Sequence, residues 1–303
     1  MKKLLAVTGV VAASAMLIAG CSSNSASTPT PTETKGGVQV DAAAAALLPA
    51  SYKTKGINAG SDIPYAPMEM FDANNNPIGF DVDLINAIGA KLGVKVTVEK
   101  QSFDTLIPSL QSGTHDVAMS SMSDTIERQA KLDFVDYFNG GASLMVAKGN
   151  PKNVTSLDSL CGQTVAAEKA TWEVDLLTTQ SKTCTDAGKQ AIAIQALPGD
   201  TDAQNAVRSG NAVAYLADSQ LAAYNVKVAG NGSYFDLVID PKNPNGYESG
   251  LIGVGVLKAN SGLTKAIQAA LQSLMDDGTY DSLLNKWNLD SFKVSSATVN
   301  GTK

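Results

Sequence analysis

The chain has 303 residues, 44% hydrophobic and 17% charged, with 29 acidic against 23 basic residues and a formal net charge of −6. That is ordinary globular composition, long enough for one large domain or two of ordinary size. The acidic balance argues against nucleic acid and against direct adhesion to anionic lipid.

The first residues stand apart from any fold. Lys2 and Lys3 precede an apolar run from Leu4 to Ala19, the length of a signal-peptide core and short for a membrane span. The run ends in Leu17-Ile18-Ala19-Gly20-Cys21, which resembles a bacterial lipobox: small residues before a cysteine that a signal peptidase exposes for diacylglycerol attachment. Residues 1–20 are therefore expected to be a lipoprotein signal peptide and Cys21 the lipidated residue. Removing Lys2 and Lys3 leaves 21 basic residues against 29 acidic, a formal charge of −8. The stretch from Ser22 to Gly37, SSNSASTPTPTETKGG, has no apolar periodicity and reads as a flexible tether. The tether is expected to span residues 21–52.

Beyond it, helix and strand patterns alternate. Val82, Ile85, Ile88 and Leu92 recur at helical spacing, and Val94, Val96 and Val98 alternate with polar residues as in a strand. A helix is expected over Phe103 to Leu110 and a strand at Val117-Ala118-Met119. Further strands fall at Leu144-Met145-Val146, Thr164 to Ala167, Ala191 to Ile194 and Val213 to Leu216, and further helices at Thr201 to Arg208 and Ser219 to Val226. Two more helices, Leu263 to Leu274 and Tyr280 to Trp287, close the chain. The alternation predicts an α/β protein with mostly parallel sheets. Asn139-Gly140-Gly141 and the glycine-rich stretch Ser249-Gly250 to Gly255 are candidate crossing points between lobes, because glycine tolerates the backbone changes a hinge absorbs.

Apart from Cys21, the cysteines are Cys161 and Cys184, an even pair that suggests a disulfide outside the cytoplasm; two buried free thiols are the alternative. The only histidine, His115, sits in a polar turn, and no Cys/His cluster suggests a metal.

The stretch DVAMSSMSDTIER, from Asp116 to Arg128, places three serines and an arginine at the exit of an apolar strand. Asp124-x-x-Glu127 fits a capping box, which starts a helix near Thr125 with Arg128 one turn in. A helix N-terminus, serine hydroxyls and a guanidinium fork together suit a carboxylate. Local capping with a surface ion pair from Arg128 to Glu127 or Asp133 is the plainer alternative.

PYAPMEMFDANNNPIGFDVDLINAIGAKLG, FDTLIPSLQSGTHDVAMSSMSDTIERQAKLDFVDYF and DDGTYDSLLNKWNLD resemble the polar-amino-acid solute-binding proteins of ABC importers, bacterial extracellular solute-binding family 3, over about residues 53 to 290. The resemblance implies a type II periplasmic-binding-protein-like fold: two lobes, each a mostly parallel sheet flanked by helices, joined by a two-strand hinge and closing on one amino acid. It divides the chain into lobe 1 (residues 53–138 with 253–290), lobe 2 (143–248) and a C-terminal tail (291–303). It assigns the ligand's α-carboxylate to Arg128 with Ser121 and Ser123, Ser120 lying beside them. It assigns the α-ammonium to Asp218, the aromatic walls to Tyr65 and Phe103, and an acidic contact to Asp62. The second lobe's loop matches Glu168 to Trp172, with Thr171 and Trp172 among the contacts. Many relatives carry Gly-Thr after this strand, whereas this chain has Lys169-Ala170-Thr171-Trp172. Asp218 also fits the N-cap of the following helix.

Alternation along Val165 to Lys169 puts Glu168 and Lys169 on opposite faces. If Glu168 faces the cleft it joins Asp62, and two desolvated carboxylates call for a cationic ligand such as arginine, lysine or ornithine, with glutamine the rival. Otherwise Glu168 pairs with Lys169 at the rim. The implied partners are ABC permease subunits, with the membrane reached through the lipid and the chain acting as a monomer. No cofactor is implied. A sensor would share the fold, and an enzyme would need an acid or base beyond this constellation.

Overall fold

The computed structural model describes residues 37–243 and 246–302. The signal segment, Cys21 and the first half of the expected tether, residues 21–36, lie outside the described residues. The fold begins before residue 53: Asp41 caps a helix Ala42–Leu47 by accepting from the backbone N–H of Ala43 and Ala44, and a second helix runs Ala50–Lys55. Ala44, Leu48 and Tyr52 are buried against lobe 1, so residues 42–52 are part of the folded body and not tether.

One sheet runs through both lobes. Its order is Val96–Lys100, Ile57–Ser61, Val117–Ala118, Tyr247–Leu257, Leu132–Ala147, Ala214–Asp218, Thr164–Glu168, Ala193–Leu197. The pairings of Ile57–Ser61 with Val96–Lys100 and Val117–Ala118 are parallel, as are those of Thr164–Glu168 with Ala193–Leu197 and Ala214–Asp218. This is the mixed α/β, mostly parallel architecture that the alternating pattern predicts. The antiparallel exceptions are the two central strands, Leu132–Ala147 and Tyr247–Leu257, which pass from one lobe to the other.

The chain crosses at glycines that face each other, Gly140 opposite Gly250, with an irregular register just before Gly250. Gly140 does not break its strand, however. Leu144-Met145-Val146, expected as a separate strand, is the second half of a single 16-residue strand. A Cβ on Gly140 would stand 3.1 Å from Gln220 Oε1 and 3.2 Å from Ile252 Cδ1, so the residue is small because the crossing is tightly packed.

The helix Trp172–Asp186 has no counterpart in the sequence pattern. Its buried apolar residues are Leu176, Leu177 and Cys184, and the rest is rich in Thr and Ser, too sparse a stripe to show periodicity. The segment after residue 290 is not a loose tail. Thr298–Val299 pairs with Asp136 and Val135 of the central strand, and Asp136 Oδ2 accepts from Thr298 Oγ1 at 2.7 Å and from Gly301 N at 3.0 Å. His115, expected in a polar turn, is 4% exposed, with Nδ1 2.9 Å from Ser109 Oγ and Nε2 3.5 Å from Glu99.

Each lobe has its own core. Lobe 1 centres on Phe80, which meets Tyr137, Phe138 and Tyr280 at ring-centroid distances of 6.1, 5.8 and 6.5 Å. Lobe 2 has one core on each face of its sheet, around Leu177 and Leu216 on one side and Tyr215 and Leu221 on the other. Cys161 and Cys184 form a disulfide across a separation of 23 residues, tying the missed helix to the start of its lobe. In the chain-entropy account a loop of this length contributes about 3 kcal/mol. Replacing both cysteines by alanine should lower the stability of lobe 2 by roughly that amount in a denaturant melt, with ligand preference unchanged because neither cysteine lines the cleft. An unshifted melt would show that the bridge has no stabilising role.

Candidate functional site

The serine turn is held by carboxylates beneath it. Ser121 has φ +45°, a left-handed conformation unusual for a side-chain-bearing residue. Its N–H donates to Asp81 Oδ2 at 2.7 Å, and Asp81 also accepts from Tyr137 OH at 2.8 Å. Ser120 Oγ donates to Glu69 Oε1 at 2.6 Å and accepts from the Asp62 N–H at 2.8 Å. Ser120 is thus occupied in joining the first loop to the turn. Ser121 Oγ reaches across the cleft to Asp218 Oδ2, at 3.1 Å.

The helix after the turn is a single turn, Ile126–Gln129, and its cap is Thr125, whose Oγ1 accepts from Arg128 N. The expected capping box from Asp124 is not formed: Asp124 accepts from Gln129 Nε2 and from Thr302 N instead. One turn of helix carries little dipole, so the positive character of this corner rests on Arg128. Its guanidinium lies over the Phe103 ring, 5.3 Å from the centroid. Nη1 donates to Ser123 O at 2.9 Å and Nη2 to Ala170 O at 3.0 Å, in the other lobe. Arg128 pairs with neither Glu127 nor Asp133; Asp133 accepts from Lys258 at 3.1 Å.

Lobe 2 contributes the end of the strand Thr164–Glu168 and the turn after it. Glu168 is 2% exposed and faces the cleft, whereas Lys169 turns to the rim and pairs with Asp104 of lobe 1 at 2.9 Å. Ala170 has φ +63°, so an alanine takes the left-handed path and offers its carbonyl to Arg128. Thr171 Oγ1 donates to Glu168 O at 2.7 Å, which braces the turn before Trp172. Asp218 occupies the N-cap position of the helix Ser219–Val228 but makes no side-chain cap hydrogen bond. Its Oδ2 accepts from Tyr65 OH at 3.0 Å, from Ser121 Oγ at 3.1 Å and from Gln220 Nε2 at 3.0 Å. The freed carboxylate therefore looks into the cleft and bridges the lobes.

One cavity of about 10 Å³ between the lobes is lined by Asp62, Tyr65, Phe103, Ser120, Ser121, Ser123, Glu168, Thr171, Trp172 and Asp218. A volume of that order holds about one water molecule, so the lobes must part before an amino acid enters. Of the residues singled out in the sequence, Arg128 does not line the cavity; it stands behind the serine turn, its fork engaged by the two carbonyls. Glu173 does line it, is 3% exposed, and was not legible in the sequence because the helix it begins shows no periodic apolar stripe. Asp200, 5% exposed, adds a further carboxyl that acts on Asp62 and Glu168.

Burial dominates the electrostatics. Desolvation pushes Glu168 far above the usual carboxyl range, and its nearness to Asp62 adds to this. Glu69 and Glu173 are raised for the same first reason, with Asp81 and Asp218 the respective neighbouring charges. Asp200 rises to about 7, its desolvation only partly offset by hydrogen bonds from Gln204 and Tyr215. Asp136 rises to about 6. Groups raised in the fold bind more protons folded than unfolded between about pH 4 and 7, so stability falls as pH rises through that window. The ligand-free protein should melt at a higher temperature near pH 5 than near pH 8, with Asp200→Asn flattening part of the slope. A melt that improves steadily toward pH 8 would contradict this charge assignment.

Residues 57–290 match the family model for bacterial extracellular solute-binding proteins, family 3. The chain is 30% identical over 253 residues to the lysine/arginine/ornithine-binding periplasmic protein of Escherichia coli, covering 83% of this chain and 92% of that protein. It is 28% identical over 264 residues to the arginine-binding protein ArgT of Corynebacterium glutamicum, covering 84% of this chain and 82% of that one. An ancestral arginine-binding protein bound to arginine superposes with a TM-score of 0.68 at 32% identity, over 76% of this chain and 97% of that structure.

Proposed function

The chain belongs to the bacterial extracellular solute-binding proteins of family 3, and we propose that it captures an amino acid with a cationic side chain outside the cytoplasm for delivery to an ABC importer. The observation that carries this reading is the charge of the cleft. Asp62, Glu168, Glu173 and Asp218 all line one nearly closed cavity, and none has an ion-pair partner among the described residues. A zwitterion with a neutral side chain would bring no cation to the carboxyl pair at the far end of this pocket, Asp62 and Glu168. Arginine, lysine or ornithine supplies one.

In this mechanism the ligand enters the parted lobes, where Nη2 of Arg128 is released from Ala170 of the other lobe and takes the ligand's α-carboxylate, aided by Ser121 and Ser123. Its α-ammonium is held by Asp218, with Glu173 beside it. The methylenes lie between Tyr65, Phe103 and Trp172, where aromatic faces also favour a cation. A ligand touching both lobes favours the closed state over the open one, and that difference drives closure. Tyr65 and Ser121 from lobe 1 meet Asp218 from lobe 2, and Arg128 meets Ala170, so the chain can close without ligand, and the ligand takes over part of these contacts. The relatives named above are binding proteins, in keeping with a site that holds its ligand chemically unchanged.

Calorimetry against the amino acids and ornithine tests the reading directly. Arginine, lysine or ornithine should bind best and glutamate should be rejected. Arg128→Ala should abolish binding while the fold is retained, since a desolvated charged contact of this kind contributes about 3 kcal/mol or more. Glu168→Gln should weaken the cationic ligands far more than glutamine. Trp172 at the cleft should change fluorescence on closure, while Trp287, bonded through Nε1 to Asp83 on the outer face of lobe 1, stays silent. Wild-type preference for glutamine over arginine would end the cationic assignment; an Arg128→Ala protein binding within about a factor of two of wild type would end the carboxylate assignment.

Membership of this family places the chain outside the cytoplasm, and among the described residues no helix is long and apolar enough to cross a membrane. The proposed anchor is a lipid on Cys21, supported by the sequence Leu17 to Cys21. Labelled fatty acid should be incorporated by the wild-type protein in a bacterial host and not by Cys21→Ala; equal labelling of both would rule the anchor out.

A further inference from the structure

The cleft carries more acid than its proposed ligand neutralises. Asp62 reaches in from lobe 1 and Glu168 from lobe 2, and they come within hydrogen-bonding reach of each other across the closed cavity. Glu168 is 2% exposed, and no donor reaches its Oε1. The neighbour nearest in kind to Glu168 is another carboxyl, that of Asp62. Two carboxylates in that position repel, with Glu168 buried and Asp62 half-buried; a single proton between them turns the same contact into a hydrogen bond.

The surroundings offer little other relief. Lys100 and Asp104 act on Asp62, and Lys100 is exposed to solvent. Asp200, Glu173, Tyr65 and Tyr215 are near enough to act on Glu168, and all four are neutral or negative. Lys169, the next residue in the chain, is taken up by Asp104.

We propose that Asp62 and Glu168 share a proton when the cleft closes without ligand, and that the cationic side chain of the ligand enters in exchange for that proton. This rests on reading the cleft as an amino-acid site. The exchange balances simply: the shared proton passes to water or buffer, the guanidinium or ammonium keeps its own protons, and the carboxylate pair becomes the counter-ion of the ligand. Proton and cation therefore compete for one closed state. Affinity for arginine weakens as the medium becomes more acid, by up to about tenfold per pH unit where one proton is exchanged. A neutral ligand such as glutamine leaves the shared proton in place, so its binding shows no such dependence on this pair.

Calorimetric titration with L-arginine near neutral pH, in phosphate and then in imidazole buffer, counts the protons released. The expected result is a buffer-dependent enthalpy corresponding to about one proton per arginine. That release should be lost in Glu168→Gln, whose amide donates to Asp62 permanently, and reduced in Asp62→Asn. Equal enthalpies in the two buffers, with arginine still binding, would overturn the exchange and leave the transport reading intact. Undiminished release in a folded Glu168→Gln protein would overturn the assignment to this pair. Failure of the wild-type protein to bind arginine, lysine, ornithine or glutamine would overturn the amino-acid reading and the exchange with it. The wild-type comparison between buffers stands without either variant.

Discussion

Burying carboxylates without basic partners is the constraint around which the cleft is arranged. Each ionised carboxyl taken out of water costs several kcal/mol unless something replaces its hydration. Lobe 1 meets this cost at Glu69 and Asp81 with donors from Ser120, from the Ser121 backbone and from Tyr137. Lobe 2 meets it at Asp218 with Tyr65, Ser121 and Gln220. The left-handed backbone of Ser121 and the engagement of Ser120 with both Glu69 and Asp62 follow from the same need. One oxygen each of Glu69, Asp81, Glu168, Glu173 and Asp200 still lacks a donor; of these residues Glu168 and Glu173 line the cavity, where something from outside can complete the structure.

The fold was legible where its elements are patterned. The helix Phe103–Gln111 and the two helices Ser261–Asp276 and Thr279–Trp287 repeat apolar residues at helical period, and the strand Ala214–Asp218 shows as a short continuous apolar run. The helices Ala42–Leu47 and Ala50–Lys55 were hidden by composition: a run of alanines beside a Ser/Thr/Pro tract carries no stripe, and only packing on lobe 1 shows which face is buried. The short strand Ile57–Ser61 was hidden too, since INAGS offers no alternation and gains its identity from the parallel neighbours on both sides. Gly140 misled in another way. Glycine in a strand suggests an interruption, but here the strand continues and the glycine makes room for Gln220 and Ile252.

The site was legible as a set of residue types at particular spacings, and less so as a set of contacts. The resemblance assigned Ser121, Glu168 and Asp218 to one cleft, and all three line one cavity, yet it said nothing of which donors were already spoken for. Ser120 and Thr171 are the cases in point: both line the cavity, and both spend their hydroxyls on neighbouring chain. The cap at Thr125 in place of Asp124 shows the limit of local motifs, because Asp124 is drawn off by Thr302, 178 residues away in the chain. No sequence window contains that competition. Ala170 shows the converse, a backbone path kept in the left-handed region without the glycine that usually permits it.

The contacts that shut the cleft fall into two kinds with different responses to the medium. Lys169 and Asp104 pair at the rim, 40% and 29% exposed, within reach of mobile ions. The bonds from Ser121 and Tyr65 to Asp218 lie deeper, on a carboxylate that is buried, and dissolved salt reaches them less. At physiological ionic strength the screening length is about 8 Å, so added salt weakens the outer pair first. Salinity outside the cell would then set how quickly the two halves separate and the cargo exchanges, while the identity of the cargo stays with the sheltered interior.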